Sequence, residues 1–406
     1  MLHNFRSLLK YALLSILAVA LFSCSENQPQ DEHLRRAQAL LANTPIVDTH
    51  IDFPDHLVER DLWYKPGYTA FALRNPAGNF DWERATKGGV YGPFMSIYIP
   101  AKLQKEPGRA RQLADSLIDM VHAFVRDYPD KFALAARADD VMANFKKGLV
   151  SLPMGMENGA PIEQIADVAY FHQRGIRYVT LAHSRDNHIS DSSYDTLGTN
   201  GGLSDFGRDV VREMNRVGIM VDLSHLSDAA IMDVLEVASK PLIATHSGCR
   251  HFTPGFERNL PDSLIVAIAR TGGVVQVPFS QYFLGEAVGK AWRAANKERN
   301  ARNIPDFGPE AIAFYAEYGR KNGEPFWISV REVADHIDHI KNLVGIDHIG
   351  LGSDFDGVGY ALPPDLNDVS KLPNLLAELF RRGYSEEDIR KICSGNVLRV
   401  WRANEP

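Results

Sequence analysis

Eight short apolar runs, separated by helix-like segments, constrain this chain more than any other feature. The runs are rich in β-forming residues and cover positions 46–49, 94–99, 149–156, 177–182, 219–224, 242–245, 273–278 and 348–353. Between them, apolar residues recur at helical spacing. Leu113, Leu117, Met120, Val121 and Phe124 share one face of residues 109–126. Residues 227–238, 261–271 and 329–344 read the same way, and Ser204 is placed to cap a helix that runs to Val217 and stops at Gly218. Strands that alternate with helices predict a parallel sheet. Eight of them within 406 residues predict an α/β fold closed into a (β/α)8 TIM-type barrel. A doubly wound open sheet is the alternative, but no Gly-x-Gly-x-x-Gly run follows a strand to mark dinucleotide binding.

The ends of these runs carry the chemistry. The first leads into His50 and Asp52, two residues apart and therefore on one side of an extended chain. The third ends in Glu157, the fourth in His183, the fifth in His225, the sixth in His246 and the eighth in Asp354. In a barrel all these ends meet at the face where active sites are built. Imidazoles and carboxylates gathered there suit zinc or a similar divalent ion, with ligands enough for two ions and Glu157 as the natural bridge. The net charge of −7 gives no reason to expect nucleic acid as a partner. No Gly-x-Ser-x-Gly elbow marks a serine hydrolase.

Most of the 14 histidines have blander readings. His122, His172, His336 and His339 fall in predicted helices, and His56, His188 and His251 in predicted loops near the barrel mouth. Asp48 and Asp222 precede ligands and serve either to orient imidazoles or to satisfy backbone groups. Asp356 reads as a turn residue or a support for Asp354. Arg250 and Arg258 compete for the role of carboxylate clamp, and the Arg-Asn-Leu-Pro-Asp context favours Arg258.

The first 44 residues differ from the rest. Arg6 and Lys10 precede an apolar stretch, 11–22, and then Ser23-Cys24. That order predicts a signal peptide over residues 1–24. Leu21-Phe-Ser-Cys24 resembles the lipobox of bacterial lipoproteins, although Phe22 stands where a small residue is usual. An ordinary cleaved signal or an uncleaved anchor helix is the alternative. The lipobox reading predicts an exported lipoprotein of the bacterial cell envelope, held on the membrane by a lipid on Cys24. Residues 25–44 read as a polar tether. Residues 45–406 hold the barrel, in which 53–92 reads as a long loop over the mouth and 285–327 as a charged, partly helical insertion. Cys249 and Cys393 are the other two cysteines, so no disulfide framework is expected.

Taken in order, Asp48-Thr-His-Ile-Asp52, Met156-Glu-Asn-Gly159, Asp222-Leu-Ser-His225, Thr245-His-Ser247, Arg258-Asn-Leu-Pro-Asp262 and Gly352-Ser-Asp-Phe-Asp-Gly357 resemble the membrane dipeptidase family (renal dipeptidase-like, peptidase family M19) of the amidohydrolase superfamily. The likeness runs from about Pro45 to Trp401. It implies a dipeptide substrate, two Zn2+ or similar divalent ions, and a homodimer. In its terms His50 and Asp52 bind one ion, His225 and His246 the other, and Glu157 both. His183 contacts the substrate carbonyl, Arg258 holds the substrate's terminal carboxylate, and Asp354 moves protons. The chain departs from the family pattern at Ser280, where a Tyr often follows the Phe that ends strand seven; here Tyr282 comes two residues later. It also departs in the 285–327 insertion. A related amidohydrolase acting on another amide, lactone or ester, and a non-enzymatic peptide-binding lipoprotein, are the competing functions.

Overall fold

A computed structural model describes residues 31–323 and 326–406. The signal peptide and Cys24 lie outside these residues. Nine short strands follow in chain order: β1 (Met95–Tyr98), β2 (Phe132–Ala133), β3 (Val150–Ser151), β4 (Met154–Glu157), β5 (Ile176–Thr180), β6 (Met220–Asp222), β7 (Ile243–Ala244), β8 (Val274–Val277) and β9 (Ile349–Leu351). Seven form one parallel sheet in the order β1-β4-β5-β6-β7-β8-β9. The eighth place belongs to the segment around His50. Asp48 bridges to Leu351 on one side, and Ile51 bridges to Met95 on the other. Backbone bonds complete the closure: Thr49 N–H to Leu351 O (3.0 Å), Phe94 N–H to Asp48 O (2.8 Å) and Ile51 N–H to Phe94 O (3.1 Å). The (β/α)8 barrel is therefore closed, with its first strand held by isolated bridges.

Helices surround the sheet as the periodicity predicts. Arg109–Asp127, Asp205–Val217, Asp228–Val237, Asp262–Arg270 and Val330–Val344 are α-helices. Ser204 accepts from the Gly207 N–H, Ser227 from the Ala230 N–H and Ser329 from the Arg331 N–H, satisfying donors that a helix start leaves free. Gly218, at φ 95°, takes the left-handed conformation that ends its helix. Large side chains such as Phe94, Tyr178, Phe279 and Trp401 are fully buried.

Four expectations change. The run 149–156 is two strands, because Pro153 has no N–H to carry a ladder through. β3 pairs instead with β2 in a small sheet of its own. The 53–92 stretch is partly helical, with Phe53–Glu59, a 3-10 turn Tyr68–Ala72, and Trp82–Gly88 capped by the Asp81 carboxylate. The 285–327 insertion is helical as expected, in Glu286–Ala301 and Pro309–Asn322, but it also carries an apolar cluster of its own, with Val288, Trp292, Ala295, Phe314, Tyr315 and Phe326.

The fourth change concerns the tether. Its residues Glu32–Leu41 form a helix packed against helix Leu372–Arg381, with Ala37, Leu40 and Leu41 buried. The apolar face that begins at Leu34 is long enough to dock, and Asp31 both caps the helix and pairs with Arg381. We expect Leu40→Ala to cost roughly 2–3 kcal/mol, as for a buried leucine, read as a lower midpoint of denaturant unfolding. A free tether would leave the midpoint unchanged.

Candidate metal centre

All seven side chains read from the strand ends meet at one face of the barrel. Glu157, the last residue of β4, lies at their centre. Its Oε2 is 3.3 Å from His50 Nε2. Its Oε1 is 3.0 Å from His225 Nε2, 3.4 Å from His246 Nε2 and 3.5 Å from His183 Nε2. One oxygen of the carboxylate thus faces His50, and the other faces His183, His225 and His246. His50 Nε2 also lies 3.4 Å from Asp52 Oδ2. Asp354 joins His50 and Asp52 in a buried trio able to offer three ligand atoms to one ion.

Several backbone angles are unusual here. His225 has φ 69°, Asp354 φ 65° and Asp356 φ 67°, left-handed values that L side chains rarely adopt. Such conformations persist only where the surroundings enforce them, and they turn the side chains of His225 and Asp354 into the site.

The donor set fits divalent ions. His50 Nε2 and Asp52 Oδ1 are buried without a hydrogen-bond partner. His225 Nε2 and His246 Nε2 come within 2.8 Å of each other, two imidazole nitrogens aimed at one point. Burial, Arg258 and the neighbouring imidazoles hold both rings well below the usual histidine range, so they are neutral and able to ligate. Burial counts against charge on Glu157, but the surrounding histidines hold its carboxyl well below the usual carboxylate range.

Outer groups orient the side chains of the cluster. The Tyr178 hydroxyl lies 2.8 Å from His50 Nδ1. Tyr178 reaches it by crossing Gly155, where a Cβ would fall 1.9 Å from the tyrosine ring. Thr245 Oγ1 lies 2.8 Å from His246 Nδ1 and donates to Asp222 Oδ2 at 2.8 Å. Asp222 thus acts on a ligand through Thr245 and also accepts the Thr245 N–H. Asp48 serves the backbone alone, accepting from the N–H of His50 and of Ser353. Tyr178 was not singled out from the sequence, and Thr245 entered only as part of the Thr245-His-Ser247 motif. Their only signal is the inward side of β5 and the residue before His246.

Arg258, 2 % exposed, donates to Ser247 Oγ (2.9 Å), to His246 O (2.9 Å) and to His225 Nε2 (3.0 Å). Arg250 instead forms two 2.7 Å bonds to Asp228. Only Arg258 is therefore placed beside the ligand cluster. Asp356 is a buried turn residue that accepts from the Asn79 N–H, and His56, expected in a solvated loop, is buried 3.7 Å from it. His336 accepts from the Cys249 N–H, His339 pairs with Asp262, and Cys249 and Cys393 are both free.

A cavity of about 730 Å3 opens over the cluster. Its floor includes Asp52, Glu157, His183, His225 and Asp354, and the insertion supplies part of its wall through Trp292, Asn296, Arg299 and Tyr315. Tyr282 lines it too, with its hydroxyl bonded to Asn296. Ser280 is fully buried as a helix cap, so no side chain at 280 faces a substrate.

A parallel barrel with a histidine and carboxylate centre at the carboxyl ends of its strands defines a metal-dependent hydrolase. Residues 34–406 match the family model described as Membrane dipeptidase (Peptidase family M19), and the chain belongs to that family. It is a metal-dependent dipeptidase. Dipeptidase verJ of Clonostachys rogersoniana is 32% identical over 391 residues, covering 92% of this chain and 88% of the relative. An uncharacterized dipeptidase of Schizosaccharomyces pombe is 32% identical, covering 91% and 83%. Among solved structures, the probable dipeptidase PvdM of Pseudomonas aeruginosa superposes with a TM-score of 0.77 at 26% identity, covering 93% of this chain and 99% of that one. A metallo peptidase of Rhodobacter sphaeroides, liganded with a phosphinate mimic of L-Ala-D-Ala, gives 0.72 at 26% identity, covering 89% and 99%.

Two outcomes are expected. Tyr178→Phe leaves His50 Nδ1 without its partner and should weaken metal binding about 10- to 100-fold, as outer-shell changes do, measured by chelator competition. The second concerns pH in the protein without ions. Burial pushes Asp55 and Asp354 up to about 8 and Asp356 up to about 7. His50, despite burial, is held well above its usual value by Tyr178, Glu157 and Asp52. These groups keep protons in the folded chain that the unfolded chain has lost, so stability falls as pH rises from about 6.5 to about 8. His56 and His336, pushed down to about 4 by burial, act only below that window. Denaturant midpoints in chelator at the two pH values check this, and divalent ions should flatten the difference.

Proposed function

We propose that the chain is an exported binuclear zinc dipeptidase that hydrolyses the peptide bond of dipeptides, including those with a C-terminal D-residue. The observation that carries the two-ion reading is Glu157, one oxygen of which faces His50 and the other His225 and His246. His50 and Asp52 would hold one ion and His225 and His246 the other, with Glu157 shared. Ions bound there supply Lewis acidity and a nucleophilic hydroxide at neutral pH.

The chain's own residues do the rest. His183, in the cavity floor with its Nε2 beside Glu157, donates to the carbonyl oxygen as charge grows on it. Asp354 accepts the proton of the attacking water and passes it to the leaving amine. Arg258 presents a planar fork to the substrate's terminal carboxylate. A clamp so close to the ligand cluster leaves room for one residue beyond the cleaved bond, which selects dipeptides over longer chains. The L-Ala-D-Ala mimic bound by the Rhodobacter sphaeroides neighbour supports tolerance of a C-terminal D-residue.

The basic, apolar and small order of residues 1–24 supports export with a lipid on Cys24. No helix among the described residues is long and apolar enough to cross a membrane.

The test is hydrolysis of L-Ala-L-Ala and L-Ala-D-Ala, with metal content measured on the same sample. We expect cleavage with about two ions per chain, and a loss of roughly 100- to 10,000-fold in kcat for Asp354→Asn, the range of a general acid–base group. Two ions without cleavage would point to another amide or a lactone as substrate. No ions and no cleavage would leave a peptide-binding lipoprotein.

A further inference from the structure

Asp55 has no assigned task, and its setting calls for one. It stands on helix Phe53–Glu59, three residues past Asp52 and so about one turn along the same face. Its side chain lines the cavity and is 9 % exposed. Among the described residues it accepts no side-chain hydrogen bond and forms no ion pair. Other charges of the cavity wall are matched: Arg299 pairs with Asp306, Arg185 lies 3.8 Å from Asp195, and Asp356 accepts the Asn79 N–H. Glu59, one turn further out on the same helix, also lines the cavity, is exposed and lacks an ion-pair partner. Lys102 is nearby but exposed, and it pairs with neither carboxylate. The Asp55 carboxylate thus faces the cavity with no protein partner, placed to meet a cation that enters there.

We propose that Asp55 and Glu59 form a subsite for the cationic side chain of the substrate's N-terminal residue, so that this dipeptidase prefers lysine or arginine there. The inference rests on the dipeptidase reading given above. The two ends of the site fix the polarity. Arg258 lies on the His225 and His246 side, whereas Asp55 lies on the Asp52 side. A dipeptide with its carboxylate at Arg258 therefore extends its N-terminal residue towards Asp55. Three residues of helix advance about 4.5 Å along the axis, a distance that a lysine or arginine stem spans and that the α-ammonium, tied to the reacting carbonyl, does not. Burial and the neighbouring carboxylates, Glu59 and Asp52 foremost, push Asp55 up to about 8, a repulsion that a bound cation relieves.

The experiment compares kcat/KM for L-Lys-L-Ala, L-Ala-L-Ala and L-Glu-L-Ala with the zinc-loaded full chain, its Asp55→Asn variant and its Glu59→Gln variant. We expect L-Lys-L-Ala to exceed L-Ala-L-Ala roughly 10-fold, equivalent to about 1.4 kcal/mol, with L-Glu-L-Ala the poorest. In Asp55→Asn the Lys-to-Ala ratio should fall at least about fivefold, and in the exposed Glu59→Gln about twofold, as a rim charge does. The ratio within each variant is the readout, so a general loss of activity does not mimic the effect. Equal rates for the lysine and alanine substrates, or a ratio unmoved by Asp55→Asn, would overturn the subsite while leaving the dipeptidase intact. No cleavage of any of the three would overturn the dipeptidase reading and the subsite with it.

Discussion

The structure turns on a single carboxylate. Glu157 ends strand β4, and four imidazoles converge on its two oxygens. Burying so many titratable groups together is unfavourable unless charges are matched. The barrel accepts this because every strand is fixed on both sides by its neighbours, the last pair being joined through the bridges of Asp48 and Ile51. Rigid strands hold the ligand nitrogens near one another without a chain-spanning loop to do so. Divalent ions then supply the positive charge that the cluster lacks.

The surrounding polar network follows from that constraint. Tyr178, Thr245 and Asp222 fix rings that would otherwise rotate, while Asp48 and Asn158 bind backbone groups where the strands give way to turns. The left-handed angles at His225 and Asp354 are sustained in the same place. Orientation, and not merely proximity, separates this cluster from a chance gathering of histidines.

Much of this was legible in the sequence. The cluster could be found because residue type and position coincide: His50, Glu157, His183, His225, His246 and Asp354 each close a run whose β pattern is strong. Arg258, which the local motif favours, stands beside the cluster, whereas Arg250 pairs with Asp228. Other features were hidden for physical reasons. Tyr178 looks like any core aromatic, and only the missing Cβ at Gly155 lets it reach His50. The helix Glu32–Leu41 carries its apolar stripe among charged residues, which reads as solvated chain until a partner helix is present to cover it. The helices within 53–92 are punctuated by Gly and Pro, and among their starts only Asp81 carries a side-chain cap. Pro153 divides one apolar run into two strands that join different sheets.

The insertion over the mouth packs around Trp292, whose indole N–H donates to Phe326 O within a cluster separate from the barrel core. A wall with its own interior is an exchangeable part. Its lining can drift under selection, and with it the range of side chains admitted, while the ligand cage beneath stays unaltered. Descendants of one such enzyme can thus diverge in diet without reinventing their chemistry.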